Sequence, residues 1–172
     1  LQCVKDCFQY NITTMVIHLP DDEHPVNDLG IKRLENVISE AEKKNIQVAF
    51  ENLNNILNLA LVLEAFQSKN VGYCYDSCHH LNYAPDDDLL KLYGNRLMAL
   101  HLQDNGGKHN QHQLPFDGNI DWVNVMKKIA LTGYQGATSL EPMNWDYEHL
   151  SIQQFLDLAY QKAKKADEMR TI

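Results

Sequence analysis

Residues 71–83 read VGYCYDSCHHLNY: an apolar, β-favouring run that passes without a break into an acid, a second cysteine and two histidines. Three readings are open for it: a buried strand whose polar residues are ordinary loop, a strand end that delivers metal ligands, or half of a thiolate zinc site. The other strand-like runs decide among them. Five runs have β character, namely Met15–His18, Ile46–Glu51, Val71–Asp76, Leu97–His101 and Thr138–Glu141. They close as VIH, VAFE, YCYD, LMALH and TSLE, so each places a polar group at its C-terminal end: His18, Glu51, Asp76, His101 and Glu141.

Helical patterns separate the runs. Ile31, Leu34, Val37, Ile38 and Ala41 recur at the 3.6-residue period, and residues 56–66 form a broad apolar helix. Asp121 can cap a helix carrying Val125, Met126 and Ile129 that stops at Gly133, and Ser151 with Gln154 makes a capping box before a last helix. Strands alternating with helices predict βαβ units and an α/β fold with a parallel sheet. Continuous apolar runs such as VAF and LMAL suit strands buried on both faces. The long polar loop from Asp104 to Gly118 holds three glycines and is a candidate functional loop.

In a parallel α/β barrel the C-terminal strand ends converge, and chemistry sits there. Three carboxylates brought together repel unless compensated, and a divalent cation is the economical compensation. Three oxygen donors with one imidazole suit Mn²⁺, Mg²⁺ or Co²⁺, with Zn²⁺ also accommodated.

Composition narrows the partners. The 172 residues are 44% hydrophobic and 22% charged, the balance of one globular domain, 1–172, with a sizeable core. No run reaches the roughly 18–20 apolar residues of a membrane span. Fifteen basic against 23 acidic residues, a formal charge of −8, argue against a phosphate-backbone binder. Cys3/Cys7 and Cys74/Cys78 have a spacing open to zinc, but the first pair is helical i,i+4 and Cys74 lies in a strand pattern. Reduced, cytoplasmic thiols are the expectation.

The segments VAFEN, CYDSCHH, LHLQDN, HQLPFDGNIDW and SLEP together resemble the xylose-isomerase-like TIM barrel superfamily of sugar-phosphate isomerases, epimerases and endonuclease IV-type enzymes. The resemblance runs through essentially the whole chain and implies a (β/α)8 barrel. The family barrel has eight strands, and the five found here match its fourth to eighth. The first three β/α units, about 80–100 residues of a barrel of roughly 250, are therefore expected to be absent, with an exposed sheet edge at Met15–His18.

The resemblance also implies a site. The residues matching Glu51, Asp76, His101 and Glu141 hold one divalent metal ion, and His79, in the Asp-x-x-His motif, contacts substrate or a further metal. In the epimerase branch the residues matching Glu51 and Glu141 are catalytic, one removing a proton and the other returning it through an enediolate. His18, by its place in the strand register, is a candidate contact to substrate or a second ion. His112 is expected on the site rim, Asp104 as orienting His101 or contacting substrate, and Trp145 as a wall for the sugar.

The expected activity is a metal-dependent isomerase or epimerase of a small sugar or sugar phosphate. The partner is then a small-molecule carbohydrate, with no nucleic acid and no membrane, and homo-oligomers are left open. Three alternatives stand beside it: a lyase that dehydrates an inositol-derived ketone, a non-catalytic sugar-binding homologue, and an endonuclease IV-like phosphodiesterase. The DNA-repair members hold a further zinc through an Asp-x-His pair in the long loop. Here Asn110 and His112 align with that pair, so the acid is missing, with His109 and Asp117 as nearby substitutes.

Overall fold

The computed structural model describes residues 1–21, 23–108 and 111–171. Helix α1 (Gln2–Gln9) precedes strand β1 (Thr14–Ile17), followed by α2 (Asp28–Lys43), β2 (Gln47–Glu51), α3 (Ile56–Ala65) and β3 (Val71–Asp76). Then come α4 (Ser77–Tyr83), α5 (Leu89–Tyr93), β4 (Leu97–His101), α6 (Trp122–Leu131) and α7 (Ile152–Glu168). The strands form one sheet in the order β1-β2-β3-β4. The register is parallel, β1 to β2 from Thr14 opposite Gln47 and β2 to β3 from Val48 opposite Val71. The chain divides into two compact units: Leu1–Cys74 with Arg96–Ala99, and Tyr75–Asn95 with the segment from Leu100 on.

The first unit carries the sheet. Val48, Ala49, Phe50, Tyr73 and Cys74 are fully buried, as continuous apolar strands require when both faces are covered. Edge strand β1 is half-buried along its whole length. Helices α2 and α3 start at side-chain caps: Asn27 accepts from Gly30 N–H and Asn55 from Asn58 N–H. Arg96 closes the link between α3 and β3 by donating to the carbonyls of Leu63, Phe66 and Val71. Burial lowers its pKa from the usual guanidinium value. Gly72 sits against this arrangement; a Cβ there would strike the Arg96 carbonyl and the Met98 side chain. Gly72→Ala is expected to lower the unfolding free energy by about 1–3 kcal/mol, the usual cost of overpacking. A urea titration in which the variant matched the parent would contradict this.

The second unit takes over the last two residues of β3 and of β4 and holds four capped helices. Asp76, Asp88, Asp121 and Ser151 each accept from the backbone N–H three residues on, and Ser151 with Gln154 forms the expected capping box. Helix α6 stops before Gly133, whose φ of +77° suits glycine. The fifth expected strand, Thr138–Glu141, is reduced to one parallel bridge, Leu102 to Leu140. Leu102 N–H donates to Ser139, and Glu141 N–H to Leu102 (2.9 and 3.0 Å). Pro142 has no N–H and so cannot extend the ladder. The parallel sense survives in this short pairing, which sets Glu141 beside the continuation of β4.

Candidate metal centre

The opening stretch resolves as a helix cap. Asp76, fully buried at the end of β3, is the N-cap of α4, and its Oδ1 accepts from the backbone N–H of His79 at 2.7 Å. Capping fixes an acid at the N-cap and the third helical residue beside it, so Asp-x-x-His is a local geometry as well as a motif. The His79 ring follows, with Nδ1 at 3.6 Å from the same carboxylate oxygen.

Asp76, His101 and Glu141 meet within the second unit. Each offers one ligand atom, and these atoms lie within 4.8 Å of one another. His101 Nδ1 stands 3.4 Å from Glu141 Oε1. Gln103 lies between the two acids: its Nε2 donates to Asp76 Oδ2 at 2.5 Å and reaches Glu141 Oε2 at 3.3 Å. Two carboxylates and one imidazole, with an amide donating to both acids, form an oxygen-rich ligand set of the kind divalent cations take.

Aromatic groups edge this cluster. His79 packs against Tyr83 (centroids 5.9 Å apart) and edge-on to His112 (6.3 Å), and His112 packs edge-on to Trp145 (5.6 Å). His112 has a φ of +49° and accepts through its carbonyl from Met143 N–H at 2.8 Å, which ties the long loop to the segment after Glu141. Trp145 is exposed.

In the first unit, Glu51 ends β2 opposite Cys74 of β3 and is 1% exposed. Its Oε2 contacts His18 Nε2 at 3.1 Å, and the His18 side chain is otherwise largely open to solvent.

A family model for the xylose isomerase-like TIM barrel matches residues 2–159. The chain belongs to this family. Its fold is accordingly α/β of the TIM-barrel type, represented here by the parallel four-stranded part. Among relatives, an uncharacterized protein y4fM of Sinorhizobium fredii is 32% identical over 167 residues, 92% of this chain and 53% of its own length. An uncharacterized protein MJ1311 of Methanocaldococcus jannaschii is 25% identical over 166 residues, 84% of this chain and 57% of its own. The chain thus spans little more than half of either relative.

Solved structures give the same fold. The IOLI protein with a bound zinc atom matches at a TM-score of 0.85 and 15% identity, over 99% of this chain and 68% of that one. D-psicose 3-epimerase in the presence of D-fructose matches at 0.79 and 17%, over 97% and 68%. A D-tagatose 3-epimerase-like protein matches at 0.74 and 20%, over 98% and 67%.

Some residues of this xylose isomerase-like chain do other work than expected. Asp104, read as a partner of His101 or of substrate, is fully buried, and both its oxygens are engaged within the loop. Oδ1 accepts from Asn105 and Ile120 N–H, and Oδ2 from Phe116 N–H and the Trp122 indole N–H. Asp117 accepts from the Tyr147 hydroxyl at 2.7 Å and pairs with Lys162. Burial and that contact push the Tyr147 pKa up. Asn110 and His109 lie outside the described residues.

Cys3 is exposed and Cys7, Cys74 and Cys78 are buried, and none forms a disulfide among the described residues. The residue that sequence reasoning passed over is Gln103. Its position, two residues beyond a strand-terminal histidine, puts it on that residue's face in extended chain, but its neutral side chain gives no signal of a role in the site.

Proposed function

We propose that this protein is a divalent-metal-dependent isomerase or epimerase of a small sugar or sugar phosphate. In this reading Glu51, Asp76, His101 and Glu141 hold a single ion, Mn²⁺, Mg²⁺ or Co²⁺ by preference of the oxygen-rich set and Zn²⁺ within its range. The observation that carries the reading is the meeting of Asp76, His101 and Glu141, each with a ligand atom within 4.8 Å of the others. Epimerases among the structural relatives, and zinc in another, support it.

Bound there, such an ion would supply Lewis-acid stabilisation of negative charge on adjacent substrate oxygens. Glu51 and Glu141 act on the proton of the hydroxyl-bearing carbon next to the substrate carbonyl. One carboxylate takes it, leaving the electron pair on the substrate as the enediolate, and the other, in its protonated form, gives a proton to the same carbon. Glu51, buried at the end of β2, is the better shielded of the two carboxylates. His79 donates to a substrate oxygen, and His18 is a further polar contact at the Glu51 side. His112 and Trp145 form an apolar wall that suits the C–H face of a sugar.

The test combines metal analysis of the purified protein with a ketose panel incubated in D₂O. Deuterium entering the substrate carbon without loss of water supports the proposal. Release of water with an unsaturated product would make the protein a lyase instead. Sugar binding without exchange would make it a binding protein.

A further inference from the structure

We infer that Gln103 is a positioning residue that sets the spacing of the Asp76 and Glu141 carboxylates for metal capture, an inference that rests on the metal-centre reading above. Gln103 is 0% exposed. Its side-chain nitrogen donates to both acids, one hydrogen to each, at 2.5 and 3.3 Å. An amide has two donor hydrogens in one plane, so it can hold two acceptors at a fixed separation that no single hydroxyl could span.

The backbone of Gln103 is itself clamped. Ser77 Oγ donates to its carbonyl at 2.7 Å and accepts from its N–H at 3.0 Å. Ser77 opens α4 directly after Asp76, so one local piece of chain supplies both a carboxylate and the anchor of the residue that orients it.

The other end of the amide argues against a purely structural role. Gln103 Oε1 is buried and accepts no hydrogen bond among the described residues. A buried amide placed for stability would satisfy both ends, because an unmet acceptor carries a desolvation cost. Here the acceptor end is left open while the donor end is committed to two acids. That asymmetry fits a residue placed for what its nitrogen does.

The groups that orient metal ligands typically change affinity about 10–100-fold when removed. Gln103→Met keeps the length and removes the donors. It is expected to weaken Mn²⁺ binding by about 10–100-fold, read by competition against a metal-chelating dye. Ser77→Ala, which frees the Gln103 backbone, is expected to weaken Mn²⁺ binding less. In the Gln103→Met background it should have no further effect. Such non-additivity in metal affinity is something a merely structural contact would not produce.

If the parent protein binds no Mn²⁺, the metal-centre reading fails and this inference with it. If the parent binds and Gln103→Met binds equally well, the inference alone is overturned. Additive effects of the two substitutions would also overturn it. Should Gln103→Met not fold, Ser77→Ala alone decides: unchanged Mn²⁺ affinity counts against the inference and weakened affinity supports it.

Discussion

Asp104→Asn is expected to lower the unfolding free energy by about 3 kcal/mol, among the larger effects available to a near-isosteric change. The Asp104 carboxylate has no exposure to water, and four N–H groups converge on it. The Trp122 indole N–H is 2.7 Å from Oδ2 and Phe116 N–H 2.9 Å from the same oxygen, while Asn105 and Ile120 reach Oδ1 at 2.8 and 3.1 Å.

Hydrogen bonds to an ionised acceptor are roughly twice as strong as neutral ones. An asparagine would turn its NH₂ towards one pair of donors whichever way it faced, leaving buried N–H groups opposed to N–H. Gly118 belongs to the same knot, since a Cβ there would strike Asp104 Oδ1 and the backbone of Asn105. The expectation is read from urea unfolding monitored by tryptophan fluorescence, Trp122 being the reporter. A loss below about 0.5 kcal/mol, the scale of an ordinary surface change, would show that water already serves these donors.

Asp104 also shows where sequence stops being legible. Its distance of three residues from His101 suggested partnership, but in extended chain residues three apart face opposite ways. Its real partners lie up to 18 positions on, and no local pattern announces them. The Asp76–His79 relation was legible only as a family motif, and the structure supplies its local cause: Asp76 caps α4 by accepting from His79 N–H. Glu141 was readable as a strand-end acid although its strand is only a bridge, because the Leu102–Leu140 pairing keeps the parallel register that the alternation of elements predicted. Gln103 was not readable as part of the site, for a different reason. Uncharged side chains do not repel, so nothing in composition asks for their compensation, and only coordinates reveal that one amide serves two acids.

The second large expectation concerns Glu141→Gln and Asp76→Asn, which look alike on paper and should behave differently. On the proposed function, Glu141→Gln is expected to reduce turnover by about 10²–10⁴-fold, the range for loss of a proton-transferring group, and to abolish any melting-temperature gain on adding metal. Without metal it should be no less stable than the parent. It removes one of two like charges held close together, and its amide can turn so that the oxygen still faces Gln103 Nε2.

Asp76→Asn has no such freedom. One oxygen must keep accepting from His79 N–H to cap α4, which aims the new NH₂ at Gln103 Nε2, donor against donor, in a fully buried place. A loss of about 1–3 kcal/mol in the metal-free protein is expected, the cost of unmet buried donors, along with the loss of metal binding. Calorimetric melts of parent and variants, each with and without Mn²⁺, separate the two effects. A metal-induced gain that persisted in Glu141→Gln would remove Glu141 from the ligand set. Equal metal-free stability of Asp76→Asn and parent would remove the cap from the explanation of Asp-x-x-His.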